Sequence, residues 1–206
     1  MSVRETRRSD DTFARIREAD GVTMDRITYS ADFSGVYREM DGVLWKLERA
    51  QYFYEPYSKS WVAWAEGDWE HALALIEAAT AEYEADLSPR VELRRLRIVE
   101  RPLSPYLEWE LRVLAARASA GEKVRILDAQ AVHHLERDRP LPELLIPAGD
   151  LMYEILYDQG GAHLGGRRIG DRAIIEPCLT LLADLYDQAA ELPATPSPQA
   201  RAPWSL

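Results

Sequence analysis

Segments with two different hydrophobic patterns follow one another along the middle of the chain. In some stretches apolar and polar residues alternate, which is typical of strands with one buried face. In others apolar residues recur every three or four positions, which is typical of helices that pack on a core. The alternation predicts strands at about 43–49, 91–100, 122–128, 144–146, 151–157 and 163–169. The helical spacing predicts helices at about 30–40, 68–84, 104–120 and 172–191.

The segment from residue 91 to residue 128 predicts the topology. Its order is strand, helix, strand, and Ser104 followed by Pro105 is a favoured start for the helix. A crossover of this length joins parallel strands in a βαβ unit. The turn sequence Asp158-Gln159-Gly160-Gly161 instead predicts a hairpin between the last two strands. We therefore predict an α+β fold, a single domain in which helices pack on a mixed β-sheet that contains a βαβ unit.

The two ends of the chain differ from the middle. Residues 1–28 are polar, carry mixed charge and show no sustained periodicity, so we expect a flexible N-terminal arm. Residues 193–206 hold four prolines among Ala, Ser, Thr and Gln, which predicts a disordered Pro-rich tail. The single α+β domain is accordingly predicted at residues 29–192.

The chain is acidic. Its 206 residues include 35 Asp and Glu against 25 Lys and Arg, which gives a formal net charge of −10. Repulsion from phosphates and anionic lipid headgroups argues against direct nucleic-acid binding and against a membrane partner. No apolar run approaches the roughly 20 residues that cross a bilayer, so we expect a cytoplasmic protein.

Residues for metal or cofactor chemistry are sparse. The single cysteine, Cys178, has apolar neighbours and excludes an internal disulfide or a zinc site of several thiolates. The adjacent His133 and His134 are a poor chelating pair. The glycines at 160–166 fit a tight hairpin better than a phosphate loop. We expect neither a metal nor a cofactor.

A run of arginines is the strongest candidate for a binding site. Arg95 and Arg97 share a predicted strand face with apolar residues, so they need partners or line a cavity. A serine at the next helix N-terminus, with a tyrosine and a glutamate one turn apart, completes a geometry that binds carboxylate or phosphate. The candidate ligand-binding residues are Arg95, Arg97, Ser104, Tyr106 and Glu110. The competing interpretation is ordinary ion pairing of the arginines with Glu92, Glu100, Glu108 and Glu110.

A dense set of aromatic residues precedes that run. Core packing is the default interpretation of such residues, although Trp and Tyr also favour pockets and interfaces. The set is larger than one contact between a helix and a sheet needs, so either role stays open for part of it. Its members are Trp45, Tyr52, Phe53, Tyr54, Tyr57, Trp61, Trp64 and Trp69.

The segments Leu93–Val99, Pro102–Leu107 with Glu110, and Ala120–Leu127 follow one another in a specific order. This order resembles an actinobacterial family of unknown function whose members are often encoded beside helix-turn-helix regulators. The resemblance covers most of residues 43–190. It implies a regulatory or accessory role without an established activity.

Three hypotheses follow. The first is a non-enzymatic regulatory or accessory protein that binds a small anionic ligand at the arginine run. Such a protein would alternatively bind a protein partner, such as a helix-turn-helix regulator, through the aromatic segment from Tyr52 to Trp69, and a homodimer is also left open. The second is a small biosynthetic or tailoring enzyme that uses acid–base residues such as Glu110 and Tyr106 without a metal. The third is a structural subunit of a larger complex.

Overall fold

An eight-stranded sheet runs through the part of the chain that this computed structural model describes, residues 11–136 and 139–192. The strands are β1 (Val22–Asp25), β2 (Gly42–Glu48), β3 (Val91–Val99), β4 (Lys123–Asp128), β5 (Glu143–Pro147), β6 (Met152–Tyr157), β7 (His163–Ile169) and β8 (Ala190–Glu191). The helices are α1 (Thr12–Glu18), α2 (Arg26–Glu39), α3 (Lys59–Ala65), α4 (Trp69–Ala78), α5 (Thr80–Asp86), α6 (Pro105–Ser119), α7 (Ala129–Val132) and α8 (Arg172–Gln188). Residues 1–10 of the predicted arm and the predicted tail lie outside the described residues.

The sheet is mixed, with the strand order β1-β7-β6-β5-β2-β3-β4-β8. Strands β2, β3 and β4 are parallel to one another, and the remaining neighbours are antiparallel. The predicted βαβ unit is present as β3-α6-β4, and the predicted hairpin joins β6 to β7. The α+β class is therefore confirmed. None of the helices in the described residues is long and apolar enough to cross a bilayer.

The two faces of the sheet carry different helices. On one face, here called the α8 face, Leu47, Leu96 and Ile98 pack with Phe13 of α1 and Leu182 of α8. Helices α2 to α6 cover the opposite face, here called the α6 face, where the buried apolar residues form two further clusters. The sheet is thus the middle of three layers.

Alternation along the two central strands places four charged side chains on the α6 face. Leu47 and Leu96 point to the α8 face, so their neighbours Lys46, Glu48, Arg95 and Arg97 point to the other. The parallel register sets Lys46 opposite Arg95 and Glu48 opposite Arg97. Charges in such a covered position need partners from the helices above them or from one another.

The predicted arm is folded from its eleventh residue onward. Phe13 and Ile16 of α1 are almost completely buried in the core of the α8 face. Strand β1 pairs with β7, and Arg167 on β7 donates hydrogen bonds to the carbonyl oxygens of Ile16 and Ala19. Residues 11–28 therefore belong to the packed part of the fold, and the apolar side chains of α1 together with the pairing of β1 account for this difference from the predicted boundary at residue 28.

Helix α2 begins earlier than predicted. Its N-cap is Asp25, five residues before the predicted start at residue 30, and Asp25 Oδ1 accepts a hydrogen bond from the Thr28 N–H at 2.8 Å. Ser30 lies inside the helix, where its Oγ donates to the carbonyl of Arg26 at 2.7 Å. Asp is a favoured N-cap, but the apolar residues of this segment show too little periodicity to locate the start of the helix.

Two other predicted helices differ from the structure, one by a division and one by its end. The helix that starts after Asp68 is divided at Ala79 into α4 and α5. The last helix ends at Gln188, and the next residues form β8 on the edge of β4. The remaining predicted strands and helices agree with the structure to within one or two residues.

Candidate functional site

A cavity of about 450 Å³ lies on the α6 face, between the sheet and helices α2, α5 and α6. Its size falls in the range of pockets that hold small organic molecules. Part of its wall is apolar, and part consists of charged side chains. The charged and hydroxyl-bearing residues of the lining, apart from the tyrosines, are Lys46, Glu48, Glu55, Ser58, Asp86, Arg95, Glu110, Arg117 and Glu122.

Five of these side chains form a continuous series of ion pairs, here called the ion chain. Arg95 lies at its centre and donates to Glu48 at 2.8 Å and to Glu122 at 3.0 Å. Lys46 contacts Glu48 at 2.7 Å, and Arg117 contacts Glu122 at 3.1 Å. The three central residues are buried, whereas Lys46 and Arg117 at the two ends are about a third exposed. Three cations therefore share two carboxylates, which leaves the ion chain with one net positive charge.

A second buried pair lies beside the ion chain. Arg97 is completely buried, and its Nε and Nη2 contact Glu110 Oε2 at 2.8 and 2.7 Å. The other oxygen of Glu110 accepts a hydrogen bond from the Tyr106 hydroxyl at 3.4 Å. The Arg97 guanidinium also lies over the Phe53 ring, 5.6 Å from its centroid. This arrangement joins β3 to α6 through a charge-assisted contact.

The charges change the acidity of the buried carboxyls in opposite directions. Burial opposes ionisation of Glu48, but Arg95 and Lys46 hold its pKa well below the usual range. Burial raises the pKa of Glu110 despite its contact with Arg97. Burial, followed by repulsion from Glu110 and Glu48, raises the pKa of Glu55 to about 7. Glu48 is thus ionised at neutral pH, whereas Glu55 exchanges its proton near pH 7.

Some polar groups of the lining have no hydrogen-bond partner among the described residues. They include Glu48 Oε2 and Trp109 Nε1, both buried. Buried polar atoms are normally paired, so each such atom calls for an explanation. The wall of the cavity therefore contains both an unpaired acceptor and an unpaired donor.

The sequence-predicted site residues are distributed between the lining and the layer behind it. Arg95 and Glu110 line the cavity. Arg97 and Tyr106 lie behind Glu110 and contact it. Ser104 lies outside the lining, and its Oγ caps α6 by accepting from the Leu107 N–H at 3.2 Å.

Ion pairing was the competing interpretation, and for Arg97 with Glu110 the ion pair is present. The partners of Arg95 were not predicted, because Glu48 and Glu122 are 47 and 27 residues away in sequence. Sequence reasoning also missed Lys46 and Arg117. A signal for Lys46 and Glu48 existed in β2, where two charges occupy the same strand face, as they do in β3.

The aromatic segment divides between the core next to the site and the surface. Phe53 and Trp61 are buried, and Trp64 packs against Tyr106 and Trp109. Other members are partly exposed, and Tyr57 is the most exposed, at 75%. None of the eight aromatic residues singled out in the sequence, all within the described residues, lines the cavity.

The fold and the site define an α+β domain in which one mixed sheet and its helices enclose a polar cavity of small-molecule size. The chain belongs to the family described as "Domain of unknown function (DUF6879)", whose model matches residues 31–194. No curated protein matches the chain. Among solved structures, the chain is similar to that of TrmBL2, an archaeal chromatin protein described as showing a novel mode of DNA binding. The two are 12% identical with a TM-score of 0.43, over 83% of this chain and 52% of the other. The chain thus spans about half the length of that structure.

Proposed function

We propose that this chain is a non-enzymatic regulatory or accessory protein whose cavity binds a small molecule with an anionic group. The observation that carries the proposal is the ion chain, because three cations share two carboxylates along the cavity wall. One further negative charge would balance the ion chain itself, and the other acidic residues of the lining, Glu55, Asp86 and Glu110, lie outside it. The ends of the ion chain, Lys46 and Arg117, keep N–H groups that make no hydrogen bond within the described residues. A carboxylate or phosphate oxygen is the natural acceptor for such donors.

The proposal modifies the site predicted from the sequence. Arg95 remains a site residue through its place in the ion chain, while Arg97 and Tyr106 would act by positioning Glu110. Ser104 would contribute by capping α6, the helix that supplies Glu110. The anion itself would contact the exposed ends of the ion chain.

The regulatory part of the proposal concerns a protein partner, such as a helix-turn-helix regulator of an actinobacterial host. The net charge of −10 opposes direct contact with DNA, so a regulatory effect would pass through another protein. The exposed aromatics Tyr52, Tyr54 and Tyr57 offer a surface for it. Size-exclusion chromatography coupled to light scattering, with the neighbouring regulator added, would test this part.

Native mass spectrometry of the untagged protein, purified gently from its host, tests ligand binding. We expect an added mass of small-molecule size that Lys46→Met loses. Lys59→Met is the matched control, because Lys59 is exposed on α3 and lies outside the lining. A thermal-shift screen of small carboxylates and phosphate esters gives the same comparison with known compounds. Bare chain in the spectra together with no shift at millimolar concentration would overturn the proposal.

A second candidate function is the small tailoring enzyme, favoured by one observation. Glu55 lines the cavity with a pKa of about 7, which suits a general acid or base at neutral pH. Under this alternative, Glu55→Gln would keep ligand affinity and abolish turnover of that ligand. A ligand that is recovered chemically unchanged after long incubation with the wild-type protein would exclude it.

A further inference from the structure

We propose that the ligand of this cavity carries an amino group beside its anionic group, as an amino acid or a related zwitterion with an apolar side chain does. This inference rests on the proposed function, because it specifies the ligand class of the same cavity. It follows from the hydrogen-bonding groups of the lining that the protein itself leaves unpaired.

Glu48 supplies the first acceptor. Its Oε1 accepts from Lys46 and Arg95, whereas its Oε2 has no hydrogen-bond partner in the described residues. The residue is only 6% exposed, so Oε2 is shielded from bulk water. A buried ionised oxygen without a hydrogen-bond donor destabilises the protein, because its lost hydration is not replaced. An N–H of the ligand would be such a donor.

Glu55 supplies the second acceptor. It belongs to the loop between β2 and α3 and lines the same cavity, and its carboxyl group makes no hydrogen bond or ion pair within the described residues. Repulsion from Glu110 and Glu48 adds to the effect of burial on its pKa, so both of these carboxyl groups act on Glu55. A positive charge among them would be attracted by all three. An ammonium group offers three N–H donors for the unpaired oxygens.

Donors lie in the same lining. Lys46 and Arg117 retain N–H groups for an anion. A simple acid would satisfy only these donors, and a simple amine only the acceptors. A molecule with both groups satisfies the two sets together, and its two charges leave the net charge of the cavity unchanged.

The rest of the wall sets the character of the remaining part of the ligand. It is aromatic and aliphatic, which favours an apolar side chain. Its apolar residues include Phe33, Leu44, Leu93, Val113, Leu145 and Ile155. A volume of about 450 Å³ suits a single amino acid or a compound of similar size.

Isothermal titration with matched compounds tests the proposal. The set contains the apolar and aromatic L-amino acids, and for each one the amine and the acid that lack a single charge. For phenylalanine these are 2-phenylethylamine and 3-phenylpropanoate. We expect one or more amino acids to bind, and both matched compounds to bind at least tenfold more weakly. Equal affinity for an acid and its amino acid would overturn this inference and leave the proposed function standing. Failure of every compound, with bare chain in native mass spectra, would overturn both.

Two variants locate the amino group. Glu55→Gln keeps the shape of a side chain that makes no hydrogen bond, and should weaken amino-acid binding at least fivefold without changing the binding of the matched acid. Glu77→Gln, on an exposed position of α4, should change neither. Thermal unfolding of both variants confirms folding. Equal weakening of the acid and the amino acid by Glu55→Gln would indicate a structural effect and contradict the proposal.

Discussion

The completely buried guanidinium of Arg97 meets the carboxylate of Glu110 at 2.7 to 2.8 Å, across the crossover from β3 to α6. The two residues are 13 positions apart and lie on consecutive elements of the βαβ unit. Their contact fixes the position of α6 over the sheet and holds Glu110 at the cavity wall. Burying two charges has a large desolvation cost, which their attraction and hydrogen bonds offset only when both partners are present.

The stability of the fold should therefore depend on this pair as a unit. We expect Arg97→Met to lower the free energy of unfolding by about 3–5 kcal/mol, because Glu110 then stays buried without its cation. The double variant Arg97→Met with Glu110→Leu should recover most of the loss. Urea unfolding of the wild type, both single variants and the double variant measures this coupling.

An exposed ion pair provides the control for that experiment. Arg172 on α8 contacts Glu176 and Asp150, and its side chain is 68% exposed. Arg172→Met should change the unfolding free energy by no more than about 0.5 kcal/mol. Strictly additive losses in the Arg97 and Glu110 variants would contradict the coupling.

The arginines also show which features of the site can be predicted from the sequence and which cannot. The strand that carries Arg97, the cap at Ser104 and the crossover to β4 were predicted, because alternation, capping and loop length are local signals. The partners of Arg95 depend on the register of β2 against β3 and on the fold of the crossover. Neither of these can be predicted from the residues next to Arg95 in sequence. The expectation that Arg97 belongs to the ligand-binding residues has the same origin, since its complete burial depends on the packing of α6 and of the Phe53 ring.

The short elements at the start of the chain were missed for a different reason. Helix α1 has only seven residues and two deeply buried apolar side chains, so its periodicity is too brief to detect. Its position depends on a groove formed by α8 and on hydrogen bonds from Arg167. Tertiary contacts of this kind override weak local propensity.

Glu55 should lower the stability of the protein as the pH rises from about 4.5 to about 7. Its folded-state pKa is about 7 against an ordinary value of 4.5, so the folded state binds more protons in this interval and loses stability as the pH rises. The charged groups that act on it are Glu110, Glu48, Lys46 and Arg117. The contribution is on the order of 2 kcal/mol.

Comparing Glu55→Gln with the wild type isolates this contribution. Glu143, whose pKa burial also raises to about 7, is present in both proteins and cancels in the difference. The unfolding free energy of Glu55→Gln, relative to that of the wild type, should therefore rise by about 2 kcal/mol as the pH is raised from 5 to 8. Urea unfolding at several pH values measures it, with Glu77→Gln as the control that should parallel the wild type. A constant difference across the interval would show that Glu55 does not titrate there.

The single thiol should be unreactive in the folded protein. Cys178 lies in the core of the α8 face with no exposed surface, and burial raises its pKa to about 12. The thiolate, which is the reactive form, is therefore scarce at neutral pH. A colorimetric thiol reagent should react with one group per chain rapidly in urea and at least a hundredfold more slowly in buffer. Equal rates in the two solutions would show that this part of the core opens readily.

The attachment of β1 to the sheet should depend on the absence of a side chain at Gly165. This residue pairs with Asp25, has a φ of +142° and lies so close to β1 that an added Cβ would be 2.1 Å from the Met24 carbonyl oxygen. Gly165→Ala should therefore separate β1 from β7 and lower the unfolding free energy by about 2–4 kcal/mol. Hydrogen exchange should rise first in residues 12–25, because α1 is held by the same edge of the sheet.

Gly35→Ala is the matched control: Gly35 lies inside α2 with no atom within 4 Å of an added Cβ, so the substitution should stabilise by about 0.5–1 kcal/mol. Unchanged exchange at residues 12–25 in Gly165→Ala would show that β1 tolerates the displacement and that α1 is held by its core contacts alone.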